Sequence, residues 1–254
     1  MPPLTPIERY FSNNRANHVF NRRPGGVKGS IGAWEARFLH AAILESTPRV
    51  CVEIGTGSGV SSAIIANALS ILQSVHGGNH KLHSLDAMEF CWYDKDKRVG
   101  FFLGEFASEL TRFVEFRTKT FASQLKDFLK PVSIEFFFID ANHKHPWPAL
   151  DLLASLPYLR PDAQIMLHDI NLPFNMPEFP DSNGARVLFN DLMLDKSYVT
   201  GHKPELLPNM GLLRTAGVRP NAIERQVRAI IENHPWEIQV PDAYLASLGI
   251  ARPA

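Results

Sequence analysis

The sequence predicts an α/β protein built on a doubly wound, mostly parallel sheet. Short apolar strand candidates alternate with helical segments through most of the chain, the order from which such sheets are wound. Ile134-Glu135-Phe136-Phe137-Phe138-Ile139 is a near-continuous apolar run, which suits a central strand covered on both faces. Val52-Glu53-Ile54 leads straight into Gly55-Thr56-Gly57-Ser58-Gly59, and Ser61 and Ser62 then open an apolar helical run.

Taken in order, residues 1–30 mix Pro, Asn, Arg and Gly and break at Pro24-Gly25-Gly26. Trp34, Phe38, Leu39, Ala42 and Ile43 recur at helical spacing and lead into a strand around Val50–Ile54. A helix over Ala63–Leu72 is followed by a Gly77-Gly78-Asn79 break and a strand, Leu82–Leu85, that ends at Asp86. Residues 87–100 are charged and aromatic and read as a loop. Phe101–Phe113 is expected to be helical, residues 114–118 a strand, and Ala122–Phe128 a short helix. After the strand at 134–139, a helix from about Trp147 to Leu159 ends in an Arg160-Pro161-Asp162 turn. Gln164–Leu167 is the next strand and runs into His168-Asp169. A proline-rich loop, 171–180, precedes a helix over Gly184–Leu194. Tyr198–Thr200 and Gly211–Arg214 are the last strand candidates, and Ala222–Glu232 is a helix in a C-terminal tail. The domain organisation expected is an N-terminal extension (1–30), one α/β domain (31–215) and a helical tail (216–254), which either covers the site or supports a homo-oligomer.

Composition narrows the function classes. With 26 Lys+Arg against 26 Asp+Glu there is no net field to attract a polyanion, so no nucleic-acid partner is expected. The two cysteines, Cys51 and Cys91, form no disulfide framework and point to a reducing compartment. The N-terminus lacks the charged and apolar regions of a signal peptide. No stretch approaches the roughly 18 uncharged apolar residues of a membrane span. A cytoplasmic protein with no membrane partner is the expectation.

In parallel sheets, ligands bind beyond the carboxyl ends of the strands, so the residues just after each strand are the ones to inspect. Glycines at 55, 57 and 59 permit a tight turn and let a ligand lie against bare backbone, and the free N–H groups of the following helix start favour a polar or anionic group. The spacing is Gly-x-Gly-x-Gly, whereas the dinucleotide fingerprint needs glycine at position 60, which is Val; no Gly-Lys-Ser/Thr follows, as a P-loop requires. Asp86, ending the second strand, has the two oxygens needed to accept both hydroxyls of a ribose.

Glu53 followed by this glycine spacing resembles motif I of the class I S-adenosylmethionine-dependent methyltransferases. Phe138-Ile139-Asp140-Ala141-Asn142-His143, then Leu156-Pro157-Tyr158-Leu159-Arg160-Pro161-Asp162, then Ile165-Met166-Leu167-His168-Asp169, resemble the ordered motifs of small-molecule O-methyltransferases of the macrocin and catechol types. The resemblance spans roughly residues 29–214. It implies a seven-stranded Rossmann-like methyltransferase fold and O-methylation of a small-molecule hydroxyl, on a sugar, glycoside or catechol-like acceptor. It assigns the cofactor S-adenosylmethionine to Glu53, Gly55, Thr56, Gly57, Ser58, Gly59, Ser61, Asp86, Phe121, Ala122 and Asp140. Glu53 would either hold the cofactor's ammonium or fix the loop, and the Phe121-Ala122 backbone would face the adenine. His143 falls at the position of the family's general base, with Asp140 positioning the acceptor; imidazole titrates near neutral pH and suits that role. Asp140, His168 and Asp169 fall where the family holds a divalent metal such as Mg²⁺ or Mn²⁺. His168 departs from the acid of the macrocin type, and imidazole suits Mn²⁺, Fe²⁺ or Zn²⁺ better than Mg²⁺; an amide at Asn171 is an alternative ligand, and a metal-free polar pocket stays open. His145 reads as part of a helix start. Other readings of the same sheet are a non-catalytic S-adenosylmethionine- or nucleotide-binding protein and a nicotinamide-dependent oxidoreductase, the latter disfavoured by the glycine spacing.

Overall fold

The computed structural model describes residues 8, 11, 15–28, 31–199 and 205–252. Gly29, Thr200 and the first six residues, on which expectations above fall, lie outside these. The chain forms two compact units, residues 1–120 and 121–254.

In the first unit, α1 (Arg15–Phe20) and α2 (Ala33–Ser46) lead into β1 (Val50–Ile54). Helix α2 buries Phe38, Leu39, Ala42 and Ile43, the residues whose spacing predicts it. After the glycine turn, α3 (Val60–His76) starts at Gly59 and stops at Gly77, both with positive φ, +88° and +65°. Then come β2 (Lys81–Asp86), β3 (Phe90–Cys91), β4 (Asp94–Arg98), α4 (Phe101–Phe106), a 3₁₀ turn (Ser108–Phe113) and β5 (Val114–Thr118). Strand β2 lies between β1 and β5, parallel to both, with Leu82 opposite Cys51 and Val114.

Residues 87–100, expected as a loop, contain the antiparallel hairpin β3–β4. Its second strand, Asp94-Lys95-Asp96-Lys97-Arg98, is wholly polar and has no apolar alternation to read. The helix expected over 101–113 breaks at Ala107, whose φ of −146° and ψ of 42° are not helical.

In the second unit a 3₁₀ turn (Ala122–Asp127) precedes β6 (Ile134–Ile139), α5 (Trp147–Ser155), a second 3₁₀ turn (Leu156–Tyr158) and β7 (Leu159–His168). Phe136, Phe137 and Phe138 are all fully buried in β6, as a strand covered on both faces requires. Arg160-Pro161-Asp162 lies inside β7, not in a turn before it; the register with β6 slips between Ile134 and Phe136, and that irregularity absorbs the proline. Next are α6 (Leu172–Asn175), α7 (Gly184–Asp191), β8 (Asp195–Tyr198), β9 (Met210–Arg214), α8 (Pro220–Asn233) and α9 (Asp242–Ser247). Strand β6 is parallel to β7, while β9 runs antiparallel between β7 and β8. The sheet has seven strands in the order β5-β2-β1-β6-β7-β9-β8, the mostly parallel architecture that the sequence predicts. Among the described residues no helix is long and apolar enough to cross a membrane.

The C-terminal tail packs into the second unit. Helix α8 buries Ile223, Val227, Ile230 and Ile231 along one face. Helix α9, which the sequence reading did not anticipate, sets Tyr244 against Trp147 at 5.1 Å and Phe121 at 5.6 Å between ring centroids. Near this cluster α5 buries an acid: Asp151 is 3% exposed, and burial pushes its pKa up to about 7 despite its interaction with Tyr244. Because the folded value lies above the ordinary 3.8, this side chain's contribution to stability is fully present below the ordinary value. It is lost as pH rises through about 7. Urea unfolding of Asp151→Asn across that range should therefore show a flatter pH dependence than the parent, which loses up to ~1.4 kcal/mol per pH unit from this group. Identical slopes for the two proteins would contradict the assignment.

Candidate functional site

The first unit builds a polar centre around the glycine turn. Gly55, Gly57 and Gly59 all take positive φ, at 97°, 51° and 88°, a conformation that side chains resist. Beneath the turn, Glu53 has no exposed surface. Its Oε2 accepts the Ser62 and Ser84 hydroxyls, both at 2.5 Å, so one carboxylate ties β1 to α3 and β2. Thr56 Oγ1 extends this network to Ser84 Oγ at 2.6 Å. Of the serines at the helix start, Ser62 carries the contact to Glu53; Ser61, the residue singled out in the sequence, is buried in the first turn of α3. Ser84 was not foreseen, because its neighbour His83 is also polar and the sequence does not tell which of the two is buried.

Asp86 faces the turn. Its Oδ2 accepts Gly57 N–H at 2.9 Å and its Oδ1 accepts Met88 N–H at 2.8 Å. Burial pushes its pKa up, while these backbone donors pull the other way. The turn's amides are therefore partly used within the protein: Gly55 N–H donates to Leu85 O and Gly59 N–H to Thr56 O, each at 2.8 Å. These are amides of the turn itself; the expectation of ligand-binding N–H groups concerns the helix start that follows, from Val60. The segment after β4 covers the turn, with Gly100 N–H donating to Gly57 O and Phe102 N–H to Ser58 O, both at 3.0 Å.

The second unit gathers acids and histidines at the carboxyl ends of β6 and β7. Asp140, His143 and Asp169 each offer a ligand atom, and these atoms all lie within 4.8 Å of one another. His143 Nε2 is 3.1 Å from Asp169 Oδ2, and His168 Nδ1 is 2.8 Å from Asp140 Oδ1. Asp169 is held in the left-handed region, φ 58°, which a non-glycine residue adopts only when its surroundings impose it. Asn209, from the approach to β9, supplies part of that constraint by donating its amide to Asp169 Oδ1 at 2.6 Å. Asn209 was not foreseen, because only β9's antiparallel return brings it to Asp169. The amide nitrogen of Asn171 donates to Pro208 O at 2.6 Å. His145 is 1% exposed, its backbone N–H bound by Glu237. Phe121 is half exposed and stacks on Trp147 at 6.1 Å, while Ala122 is buried.

Three oxygen- and nitrogen-bearing side chains of this kind fit a divalent cation of intermediate softness such as Mn²⁺ or Fe²⁺. The His143–Asp169 and His168–Asp140 pairs also hold together without one.

The strand order, the glycine turn after β1 and the acid ending β2 define the Rossmann-like fold of the class I methyltransferases. Residues 52–170 match the family model described as a methyltransferase domain. No curated protein sequence matches. Among solved structures, the chain is similar to the O-methyltransferase TomG of Streptomyces achromogenes, involved in tomaymycin synthesis and crystallised with S-adenosylmethionine. Identity is 20% over 82% of this chain and 90% of that one, with a TM-score of 0.55. It is similar also to an O-methyltransferase of Bacillus cereus in complex with S-adenosylhomocysteine, at 18% identity, 84% and 91% coverage and a TM-score of 0.54. A third likeness is to a Klebsiella pneumoniae protein described as a putative O-methyltransferase, at 18% identity, 85% and 93% coverage and a TM-score of 0.54.

The turn leaves no room at Gly59: an added Cβ would lie 2.9 Å from Gly100 Cα, at a φ of +88°. Gly59→Ala should lower stability by about 1–3 kcal/mol in chemical denaturation. Gly104→Ala on α4, where a Cβ meets nothing within 4 Å, should be neutral or stabilising. Equal effects at the two sites would refute the crowding argument.

Proposed function

We propose that this chain is an S-adenosylmethionine-dependent methyltransferase that methylates a hydroxyl of a small molecule, with residues 31–215 as its catalytic domain. The observation that carries the acceptor chemistry is the His143–Asp169 pair, 3.1 Å apart at the strand ends of a chain whose residues 52–170 match a methyltransferase domain. The equal counts of basic and acidic residues support a small acceptor over a nucleic acid. A sequence with only two cysteines, Cys51 and Cys91, supports a cytoplasmic setting.

The first unit's residues fit the cofactor. The glycine turn presents bare backbone to its amino acid end, and Asp86, already aimed by two amides, keeps lone pairs for the ribose hydroxyls. Of the two roles open to Glu53, its bonds to Ser62 and Ser84 support fixing the loop. When bound, S-adenosylmethionine supplies an electrophilic methyl group on a sulfonium.

His143 is the general base. Its Nε2–H donates to Asp169 Oδ2, which leaves Nδ1 with the lone pair that takes the acceptor's proton. Asp169 then stabilises the imidazolium, and Asn209 keeps Asp169 in place. Asp140, paired with His168, accepts a second hydroxyl of the substrate and orients it. With its proton taken by His143 Nδ1, the acceptor oxygen would be free to receive the methyl group that the bound cofactor would supply, the carbon–sulfur electron pair staying with the cofactor's sulfur. Holding the reactants in line accounts for most of the acceleration, worth roughly 7–11 kcal/mol in well-oriented systems.

A second reading rests on the clustering of Asp140, His143 and Asp169. These residues would hold a divalent ion that supplies Lewis acidity to the acceptor oxygen. His143 could not then act as the base, so the two readings separate experimentally.

Calorimetry should show micromolar binding of S-adenosylhomocysteine and none of NAD; absence of sulfur-nucleoside binding would sink the function. With an acceptor found among sugars, glycosides and catechols, His143→Ala should slow S-adenosylhomocysteine formation by about 10²–10⁴. Cofactor affinity should stay unchanged. Turnover that survives this substitution would discard the base assignment. Loss of turnover on chelation, restored by Mn²⁺, would favour the metal reading.

A further inference from the structure

The loop that carries His143 joins β6 to α5, and the C-terminal tail holds it in place. Glu237 follows α8 and has a half-buried carboxylate that gathers donors from two other segments. Its Oε2 accepts His145 N–H at 2.7 Å and Asn183 N–H at 3.1 Å, and its Oε1 accepts the Asn183 side-chain amide at 2.7 Å. Its own N–H donates to His145 O at 2.9 Å. Both backbone groups of His145, two residues from the base, are thus bound by Glu237.

The second segment, the start of α7, presses on the same loop. Gly184 N–H donates to His143 O at 2.7 Å. A Cβ at Gly184 would lie 2.8 Å from each of His143 O, His145 N and Pro148 Cδ, so the fit is backbone on backbone. The stretch from α8 to Glu237 is itself pinned: His234 Nε2 lies 2.6 Å from Asp191 Oδ2, and Trp236 Nε1–H donates to Ile231 O at 2.9 Å. One tail carboxylate and one α7 glycine together bind the backbone of His143 and His145 on their carbonyl and amide sides.

We propose that Glu237 is a positioning residue for the base: a strap from the C-terminal tail that fixes the backbone at His143–His145 and so the aim of the His143 imidazole. The proposal rests on the reading of His143 as general base. It assigns the tail a part in turnover, beyond covering the core. A carboxylate suits this post because it only accepts, and every group facing it here donates. An amide in its place would turn an NH₂ group toward one of those donors.

The test uses the full chain with amide hydrogen exchange and steady-state kinetics. Glu237→Ala should speed exchange at His145 and Gly184 and lower kcat by about tenfold to a hundredfold, as misplacement of a catalytic group by an ångström does. Affinity for S-adenosylhomocysteine should stay within about twofold, since the strap touches no cofactor residue. In a His143→Ala background, Glu237→Ala should add no further loss, the mark of two residues acting through one group. Glu237→Gln, which keeps the shape and one acceptor, guards against a variant that does not fold and should fall between the parent and Glu237→Ala. Unchanged exchange at His145 would overturn the strap. A parental kcat in Glu237→Ala, or an equal loss with and without His143, would overturn the positioning role. His143→Ala at the parental rate would instead refute the base assignment and with it the catalytic half of the proposal, while faster exchange in Glu237→Ala would still establish the strap.

Discussion

Glu53 is a carboxylate with no exposed surface, in the middle of a strand. Burying such a group is costly unless donors surround it, and here the hydroxyls of Ser62 on α3 and Ser84 on β2 meet one of its oxygens. The geometry of the glycine turn follows from this constraint. With β1, β2 and the first turn of α3 tied to one point, the five residues from Gly55 to Gly59 must reverse the chain in a short span. Alternate glycines at positive φ are the backbone's way of doing so. Asp86 then closes the turn from the next strand through the Gly57 amide.

The second unit solves a similar problem with different chemistry. Its strands β6 and β7 are apolar over Phe136–Ile139 and Ile165–Leu167, and where these runs end two acids and two histidines are held in pairs. Each histidine has a carboxylate on one ring nitrogen, which sets its orientation and tautomer. The backbone strain at Asp169 is sustained by Asn209 and His143 together. Rigid strands deliver these groups, and both the seat of Asp169 and the loop with His143 also depend on contacts from far along the chain, through Asn209 and Glu237.

Where regularity in the sequence exists, it was legible. The all-apolar run at 134–139 announced a covered strand, and the glycine spacing distinguished this turn from a dinucleotide fingerprint or a P-loop. Asp140, His143, His168 and Asp169 could be singled out because they lie at or just past strand ends; the metal expectation joined His168 to the two acids, whereas the group whose ligand atoms lie within 4.8 Å has His143 in that place. The hairpin at 90–98 escaped because its pairing is made by backbone groups beneath charged side chains. The full length of β7 escaped because Pro161 looks like a breaker, and a register shift tolerates it. The serines at 62 and 84 gave only a weak signal, since a buried hydroxyl resembles any other small residue until its partner is known.

The sequence by itself determined the local and periodic features: strand–turn–helix order, the parallel sheet, the glycine turn and the residues that follow each strand. Those depend on side-chain periods and on backbone freedoms that belong to single residues. Tertiary structure alone decided the long-range partners. Asn209 reaches Asp169 only because β9 returns antiparallel beside β7, and Glu237 reaches His145 across 92 positions only because α8 turns the tail back. Hydrogen bonds are specified by the position of both partners, and two residues so far apart carry no mark of each other until the chain has folded.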